Sequence, residues 1–394
     1  MSTTRRLTKL CRAKPQNSLP VTRPLRRPLL RSSLGPASTC RSSTAKLTEA
    51  PKFFQSIPRI RLIRGEKQVK LSFAPMEGIT TYIYRRVHRG LFPGVDRYYS
   101  PFIAPDGSGR FKGAARRDVL PENNTGIPLV PQILCNRAEA FLAVAEELGA
   151  MGYGEVSLNA GCPSATVVPK HKGSGMLLDL GSLDRFLDEV FSRCALRISV
   201  KTRLGLESGE EFSAILEIYN RYPLSELIIH ARPRSGMYRS APDLSAFALG
   251  YEKSNAPVCY NGDIFRAQSL AGVLEAAPGL DSFMLGRGAA ANPALFRELR
   301  GGAALDAGEL RAFLERLEAA LMEAGLEERF VLARLKELWF YLIHMFPGSA
   351  RGAKHINKAQ RLSDYHAALS ALFSEGGFSP AGYFPGTGEG LARG

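Results

Sequence analysis

The chain has 394 residues, of which 45% are hydrophobic and 23% charged, a composition that is typical of globular proteins and excludes wholesale disorder and a coiled coil. No run of eighteen apolar residues occurs, which excludes a transmembrane helix. The six cysteines include no C-x-x-C pair, which argues against a disulfide scaffold and a structural zinc site and favours a reducing, intracellular setting without a bound metal. The length predicts two domains, or one large barrel with an appendage.

Residues 1–50 carry much of the charge. They hold eleven of the 52 Lys and Arg residues and one of the 37 acidic residues, so the formal net charge of +15 falls to +5 for the rest of the chain. Because residues 1–60 are rich in Ser, Thr, Pro and Arg and lack apolar periodicity, they are predicted to be a disordered basic extension. A transit peptide and a dispensable extension from an over-long start share this composition, so a cytoplasmic location is expected with organellar targeting left open.

Eight short apolar runs follow, separated by segments long enough for a helix, and this alternation predicts an α/β protein with a parallel sheet. Amphipathic segments between the runs, at 138–148, 183–191 and 211–219, are predicted to be outer helices. A (β/α)8 TIM barrel over residues 68–302 follows. An open doubly wound sheet is the alternative, but the first run lacks the glycine-rich turn of that fold. The runs are 70–75, 97–103, 128–134, 155–161, 197–203, 226–232, 257–263 and 282–288.

A different pattern begins near residue 305. Asp306 and Glu309 resemble a capping box, after which apolar residues recur on one helical face as far as Gly325. A second helix is predicted over 327–346 and a third over 353–373. We therefore predict a small C-terminal helical domain over 305–373 and a flexible, glycine-rich tail over 374–394.

Polar or glycine residues stand at seven of the eight strand ends, where this barrel fold places its working groups, and together they predict a site. After the last two runs, Gly262, Gly286, Gly288 and Arg287 predict a phosphate site, because glycine lets backbone N–H groups approach an anion and the guanidinium pairs with it. A phosphorylated cofactor or substrate is expected. The strand-end candidates are Pro75, Met76, Glu77, Gln132, Asn159, Cys162, Lys201, Arg203, His230, Arg232, Asn261, Gly262, Asp263, Gly286 and Arg287.

Seven motifs at these positions resemble the tRNA-dihydrouridine synthase family, in the same order and on the same strands. The resemblance covers about residues 70–372 and implies an FMN-dependent enzyme that reduces the 5,6 double bond of uridine in tRNA with NADPH. The third motif from the end reads His230-Ala231-Arg232-Pro233 where the family more commonly has His-Gly-Arg-Thr. The motifs are Ala74-Pro-Met-Glu-Gly, Leu158-Asn-Ala-Gly-Cys-Pro-Ser, Lys172-Gly-Ser-Gly, Val200-Lys-Thr-Arg-Leu-Gly, Ile229-His-Ala-Arg, Tyr260-Asn-Gly-Asp-Ile and Leu285-Gly-Arg-Gly.

This reaction needs a hydride, which no amino-acid side chain supplies, so a flavin carries it while the protein supplies position and electrostatics. The resemblance implies hydride transfer from flavin N5 to C6 of uracil and proton donation to C5 by Cys162, since a thiol is mostly protonated at neutral pH. Lys201 is interpreted as a countercharge to the reduced flavin, with a structural ion pair as the alternative. His230 is interpreted as a cofactor or uracil ligand, with a buried structural histidine as the alternative. Arg203 and Arg232 are assigned to the RNA, and the strand-end residues other than these two and the catalytic Cys162 are assigned to FMN.

A basic stripe is predicted for RNA binding. Arg351, Lys354, Lys358 and Arg361 follow a 3-4-3 spacing with no acid between them, so they are expected on one helix facing the tRNA backbone, with a solvated helix face as the alternative. Lys170 and Lys172 add a basic loop after the strand that precedes Cys162.

Two other functions stay open at this point: a dihydroorotate dehydrogenase-like flavin enzyme acting on a small pyrimidine, and a catalytically silent RNA-binding barrel. The first would lack a basic helical appendage, and the second would have no need of Cys162 and the phosphate motifs. A monomer is expected.

Overall fold

The computed structural model describes residues 63–64, 67–375 and 377–380. The predicted extension over residues 1–60 lies outside this range, as do residues 381–394 of the predicted tail. Two short antiparallel strands, β1 (Ile63–Arg64) and β2 (Lys67–Gln68), precede the main sheet. Among the helices that the structure describes, none combines the length and apolarity needed to cross a bilayer.

The main sheet is a closed parallel barrel, which confirms the predicted fold. Its order is β5-β4-β3-β11-β10-β9-β8-β7-β6, and every neighbouring pair is parallel. Each of the eight predicted runs contains a strand, and the strands are almost entirely buried, as expected for a sheet covered on both faces. The strands are β3 (Lys70–Phe73), β4 (Arg97–Tyr99), β5 (Leu129–Val130), β6 (Gln132–Ile133), β7 (Glu155–Ala160), β8 (Arg197–Arg203), β9 (Glu226–His230), β10 (Val258–Asn261) and β11 (Ser282–Leu285).

The third barrel strand is divided at Pro131 into β5 and β6. Proline has no N–H to give to a ladder, so the regular pairing stops there. The proline carbonyl still accepts a bond from Ser157 N (2.8 Å), and Ile103 bridges to Ile133 beyond the break. The two ends of the nine-segment sheet are therefore one interrupted strand, and the barrel is closed.

Nine helices of the described chain cover the barrel strands or follow them. The three predicted outer helices correspond to α3, α4 and α5. Asp179 and Asp243 cap α4 and α6, each accepting a backbone N–H three residues on. The helices are α1 (Tyr82–Leu91), α2 (Gly113–Val119), α3 (Ala138–Ala150), α4 (Leu180–Arg193), α5 (Phe212–Tyr219), α6 (Leu244–Lys253), α7 (Ala271–Ala276), α8 (Arg287–Ala291) and α9 (Leu295–Leu299).

The predicted C-terminal helices are present and pack on the barrel. They are α10 (Ala307–Glu323), α11 (Glu328–Leu342), α12 (Ala350–Lys358) and α13 (Leu362–Glu375). The capping box exists, since Asp306 and Glu309 exchange side-chain bonds with each other's backbone N–H. Phe313 of α10 meets Tyr84 of α1 and Phe92, which directly follows α1, with ring centroids 5.6 Å apart in each pair. This packing brings α11 beside the carboxyl ends of the barrel strands.

The prediction of one helix over 353–373 is wrong, because the chain forms α12 and α13 with a break at 359–361. The backbone of Ala359 is extended. The N–H groups of Gln360 and Arg361 donate to Oδ2 of Asp364 (3.0 and 3.1 Å), and that of Leu362 donates to Glu328 (2.7 Å). These carboxylates satisfy the donors at the start of a new helix, so α13 begins there. Arg361 therefore lies outside the helix that carries the other three residues of the predicted stripe.

Candidate active site

A cavity of about 530 Å³ opens at the carboxyl ends of the barrel strands. Seven of the eight strand positions contribute predicted residues to its walls, and strand β4 contributes the apolar Pro101 and Phe102 that follow it. The predicted residues that line the cavity are Pro75, Met76, Glu77, Gln132, Asn159, Cys162, Lys201, Arg203, His230, Asn261, Gly262, Gly286 and Arg287.

An amide chain leads to the predicted acid. Oε1 of Gln132 accepts a hydrogen bond from Nδ2 of Asn159 (2.8 Å), and Oδ1 of Asn159 accepts from the backbone N–H groups of Gly161 (3.1 Å) and Cys162 (2.9 Å). Nε2 of Gln132 is buried and has no hydrogen-bond partner among the described residues. A buried donor without a partner costs about 1–3 kcal/mol, so this amide has a place for an acceptor from a ligand.

The Cys162 loop is held from its other side by the motif that starts at Lys172. Both N–H and Oγ of Ser174 donate to the carbonyl of Cys162, at 3.0 and 2.9 Å. Gly173 has a φ of +57°, and a Cβ there would lie 2.7 Å from the same carbonyl oxygen, so only glycine fits. The Cys162 side chain is partly exposed and lines the cavity, so its thiol is accessible to a ligand.

Lys201 and His230 face the cavity in different protonation states. Burial, and next the charge of Arg203, lower the pKa of Lys201 to about 8, and its ammonium has no ion pair or hydrogen bond within the described chain. Burial, and then Arg203, Lys201 and Arg232, hold the pKa of His230 well below its ordinary value, so this ring is neutral. Its Nδ1 lies 3.0 Å from Oδ1 of Asn261. Because Nδ2 of Asn261 already donates to Met284 O (2.8 Å), that Oδ1 is an acceptor and His230 Nδ1 carries the proton.

Arg287 stands at the predicted phosphate end of the cavity. Its guanidinium donates to Oδ1 of Asp263 (2.5 Å) and lies 4.6 Å from the ring centroid of Tyr238, and burial lowers its pKa. The loops after β10 and β11 touch, since a Cβ at Gly288 would lie 1.9 Å from the Ile264 carbonyl oxygen. Asp263 does not line the cavity; it bridges Arg287 and Arg232, so it orients the guanidinium and is not placed as a direct ligand.

Two arginines assigned to RNA are buried. Arg232 is 0% exposed and donates to Asp263 and to Ser240 O (2.7 Å), so its guanidinium is held within the fold, and the contact with tRNA stays a prediction. Arg203 is 2% exposed; it lines the cavity, yet it does not belong to the exposed surface of the barrel mouth. A long run of RNA backbone cannot reach either side chain.

The remaining RNA candidates do not line the cavity. Lys170 is exposed and Lys172 half-buried on the loop after β7. All four stripe residues are exposed, with three on α12 and Arg361 in the link before α13. Their positions on one end of the appendage agree with a charged surface.

Twelve lining residues escaped the sequence prediction. Three come from one face of α11, where an i, i+3, i+4 spacing separate from the core-facing set was the available signal. Others lie on the loop after β9, whose close approach to the cavity is a tertiary property. Those from α11 are Glu337, Phe340 and Tyr341, those from the loop are Met237, Tyr238 and Arg239, and the rest are Ala74, Ile79, Pro101, Phe102, Gly161 and Pro163.

The appendage reaches the cavity through α11. Nη1 of Arg334 donates to the carbonyl of Gly78 (3.1 Å) and to Glu337 (3.0 Å). Burial, and next the carboxylate of Asp118, raise the pKa of Glu77. The loop after β3 is therefore shared between the barrel and α11, and the cavity is completed by both parts of the chain.

The family model for dihydrouridine synthase matches residues 72–368, which includes the barrel, the cavity and the appendage. The chain belongs to the dihydrouridine synthase family. Its members are oxidoreductases, and the predicted family and enzyme class are thereby confirmed. The chain is 27% identical to tRNA-dihydrouridine synthase B of Pseudomonas putida over 316 residues, which are 77% of this chain and 91% of that protein. It is 30% identical to tRNA-dihydrouridine(16) synthase of Escherichia coli over 246 residues, 61% of this chain and 75% of that one.

Proposed function

We propose that this dihydrouridine synthase family member is a tRNA-dihydrouridine synthase, which reduces the 5,6 double bond of uridine in tRNA with FMN as cofactor and NADPH as reductant. The names of both relatives support the substrate. The observation that carries the proposal is the cavity itself, which is lined by the accessible Cys162, by Gln132 and by Lys201. Among the described residues, Nε2 of Gln132 has no hydrogen-bond partner and the Lys201 ammonium has no ion pair. These are the groups that a bound flavin and a pyrimidine require.

The residues present fit FMN. A cavity of about 530 Å³ lies within the range of cofactor sites. Nε2 of Gln132 offers a donor to a flavin carbonyl, and the ammonium of Lys201 would offset negative charge on the ring. Arg287 and the glycines beside it would hold the phosphate, and the backbone of Pro75 and Met76 would lie along the ring. When bound, the flavin supplies the hydride that is taken from NADPH and delivered to C6 of uracil.

The chain's own contribution to the chemistry is a proton at C5. Cys162 is the candidate donor, because its thiol reaches the cavity while Asn159 and Ser174 fix its backbone from both sides. A donor that is held within about 3 Å of the accepting carbon needs no diffusion of water into the site. The neutral His230 is placed as a hydrogen-bonding ligand and not as a charge.

A uridine inside folded tRNA reaches this cavity only if it leaves its stack, so the enzyme must hold the tRNA body while one base enters. The exposed cations of α12 support this part of the proposal, since phosphate contacts position a nucleic acid without reading sequence. In this proposal the base is reduced in the cavity, and the appendage binds the tRNA backbone.

The experiment is to incubate the purified protein with FMN, NADPH and an unmodified tRNA transcript and to map dihydrouridine by mass spectrometry. We expect a yellow protein with flavin absorbance and one modified position per tRNA. Flavin binding with turnover of a free pyrimidine and no change in tRNA would contradict the substrate, and a colourless protein that binds tRNA would contradict the enzyme.

A further inference from the structure

Arg203 ends strand β8 as a buried cation that touches two different loops of the cavity. Its side chain is 2% exposed, yet it makes no ion pair within the described chain. It donates to three backbone carbonyls and also interacts with the Tyr238 side chain. A buried guanidinium without a carboxylate is expensive, so a purely structural role would be met better by an apolar residue. A structural role alone therefore does not explain an arginine at this position.

We infer that Arg203 is a positioning residue, which ties the loop of the proton donor to the turn after β9, whose Tyr238 lines the cavity. The inference rests on the proposed function, because it takes Cys162 as the donor. It replaces the contact with RNA that the sequence predicted for Arg203.

The first contact fixes the loop of Cys162. Nε of Arg203 donates to the carbonyl of Gly161 (2.9 Å), one residue before the cysteine. Gly161 itself has little room, since a Cβ there would lie 3.2 Å from the Thr202 backbone on β8. Together with the bond that the Cys162 N–H donates to Oδ1 of Asn159, this contact sets the direction in which the cysteine leaves its strand.

The second contact fixes the turn after β9. Nη1 of Arg203 donates to the carbonyls of Pro233 (2.9 Å) and Met237 (3.1 Å), so one nitrogen closes the turn between them. Met237 has a φ of +48°, which is uncommon for a residue with a side chain and places the next residue, Tyr238, over the cavity. The Tyr238 ring is 44% exposed and lies 5.4 Å from the guanidinium carbon of Arg203.

A planar guanidinium is suited to this task, because its donors leave in fixed directions and reach both loops at once. Moving either loop changes the distance between the Cys162 thiol and the Tyr238 ring, and so the position of the thiol relative to a ligand in the cavity. A misplacement of about 1 Å between reacting groups costs on the order of a hundredfold in rate. Arg203 should therefore matter for the step that reduces uridine and not for the step that reduces the flavin.

The test compares Arg203→Ala, Arg203→Lys and a control, Arg234→Ala, in the holoenzyme. Arg234 lies on the same turn, but its guanidinium pairs with Glu207 (2.7 Å) outside the cavity. Stopped-flow absorbance follows flavin reduction by NADPH and, separately, reoxidation by tRNA. Alkylation of Cys162 by iodoacetamide, followed by mass spectrometry, reports the loop without any turnover.

We expect reoxidation by tRNA to slow about a hundredfold in Arg203→Ala and to recover partly when free guanidinium is added. We expect a smaller loss in Arg203→Lys, unchanged flavin reduction in all three variants and faster alkylation of Cys162 in the two Arg203 variants. Wild-type reoxidation in both Arg203 variants, an equal loss in both half-reactions without rescue, or unchanged alkylation would overturn the inference. A wild-type protein that never reacts with tRNA would contradict the proposed function, while the alkylation result would still decide whether Arg203 holds the loop.

Discussion

The two ends of the barrel use buried polar side chains in opposite ways. At the amino ends of the strands, Glu226 is 1% exposed and accepts hydrogen bonds from Tyr99 Oη (3.2 Å) and Ser282 Oγ (3.0 Å). Glu155, 5% exposed, lies 3.2 Å from Arg197. Both buried carboxylates are matched by donors from neighbouring strands, and they join those strands to one another.

At the carboxyl ends, three polar groups are buried without such matches. Within the described residues, Nε2 of Gln132 has no hydrogen-bond partner, the ammonium of Lys201 has no counterion and Arg203 has no carboxylate partner. Burial of each group is unfavourable, because the protein does not fully replace the interactions that the group would make with water. A bound ligand would supply these missing interactions. The polar groups at the amino ends therefore stabilise the fold, whereas the unmatched polar groups at the carboxyl ends lower its stability and are available to a ligand.

This contrast sets the predictions. Substitutions at the carboxyl end should change turnover or ligand binding while leaving the free energy of unfolding almost unchanged, and substitutions at the amino end should do the reverse.

The largest effect is expected at Cys162. Replacing it with alanine should slow the reduction of uridine in tRNA by about a thousandfold, since proton donation by a placed acid contributes on the order of 10² to 10⁴. Flavin reduction by NADPH and the urea midpoint should not change. Cys194→Ala is the control, because that cysteine follows α4 and does not line the cavity. Turnover near the wild-type rate in Cys162→Ala would remove this cysteine from the mechanism.

The amino end is tested by Glu226→Ala. This change leaves the buried hydroxyls of Tyr99 and Ser282 without their acceptor, and we expect a loss of about 3 kcal/mol in the free energy of unfolding, measured by urea denaturation. The folded fraction should turn over at the wild-type rate. Glu139→Ala is the control, since its ion pair with Arg193 is exposed on both sides. If Glu226→Ala lowered turnover with no loss of stability, the two ends would not differ as argued.

At the phosphate end, Arg287→Ala should weaken FMN binding about ten- to a hundredfold, which is the value of a hydrogen bond to a charged group. Asp263 keeps its ion pair with Arg232, so the variant should remain folded. Fluorescence titration of FMN gives the dissociation constant. Arg197→Ala, at the opposite end of the barrel, should bind FMN like the wild type, and full flavin affinity in Arg287→Ala would remove the guanidinium from the phosphate site.

Much of the fold and cavity was predictable because the signals are local. Each strand is a short apolar run, and its last residues point to the same end of the barrel whatever the loops do, so thirteen strand-end candidates meet in one cavity. The sequence could not show which of the cations bind partners within the protein and which remain available to a ligand. Arg232 and Arg203 looked the same as Arg287, and only tertiary packing buries the first, ties the second to carbonyls and gives the third a place on the wall.

The break between α12 and α13 escaped prediction for a related reason. The residues 359–361 include neither proline nor glycine, so helical periodicity continues through them. The break is made by partners elsewhere: Glu328 on α11 binds the N–H of Leu362, and Lys336 donates to the carbonyl of Ala359. The Tyr238 loop was missed likewise, since its approach to the cavity depends on bonds from Arg203.

Lys201 should make the affinity for FMN depend on pH. Its ammonium is charged below a pKa of about 8 and neutral above it, so FMN affinity should fall as the pH rises through that value, by up to about tenfold per pH unit. Titrations of FMN across this range should show the slope in the wild type. Lys201→Met should bind more weakly at low pH and show no slope. A wild-type affinity that does not change between the two sides of pH 8 would mean that the ammonium is not close to the flavin.

The smallest effects, on single phosphate contacts, are expected on the appendage. Lys354 is exposed on α12, and Lys354→Ala should lower the slope of log affinity for tRNA against log salt by about 1. Arg361→Ala should change it less, because Arg361 lies beyond the end of α12 and beside the carboxylate of Asp364, whose pKa is lowered by the N–H groups it accepts. NADPH oxidation without tRNA should be unchanged in both.

The three stripe residues on α12, Arg351, Lys354 and Lys358, test whether the appendage or the barrel mouth holds the RNA. Neutralising the three together should flatten the salt dependence by roughly the sum of single effects, since each released counterion adds independently. If the slope stays at the wild-type value, α12 is a solvated face. In that case Arg361 and, on the loop after β7, Lys170 and Lys172 are the remaining cations assigned to RNA that are not fully buried. Neutralising Lys170 and Lys172 should then lower the slope instead. The grip on RNA would then belong to the same end of the barrel as the chemistry.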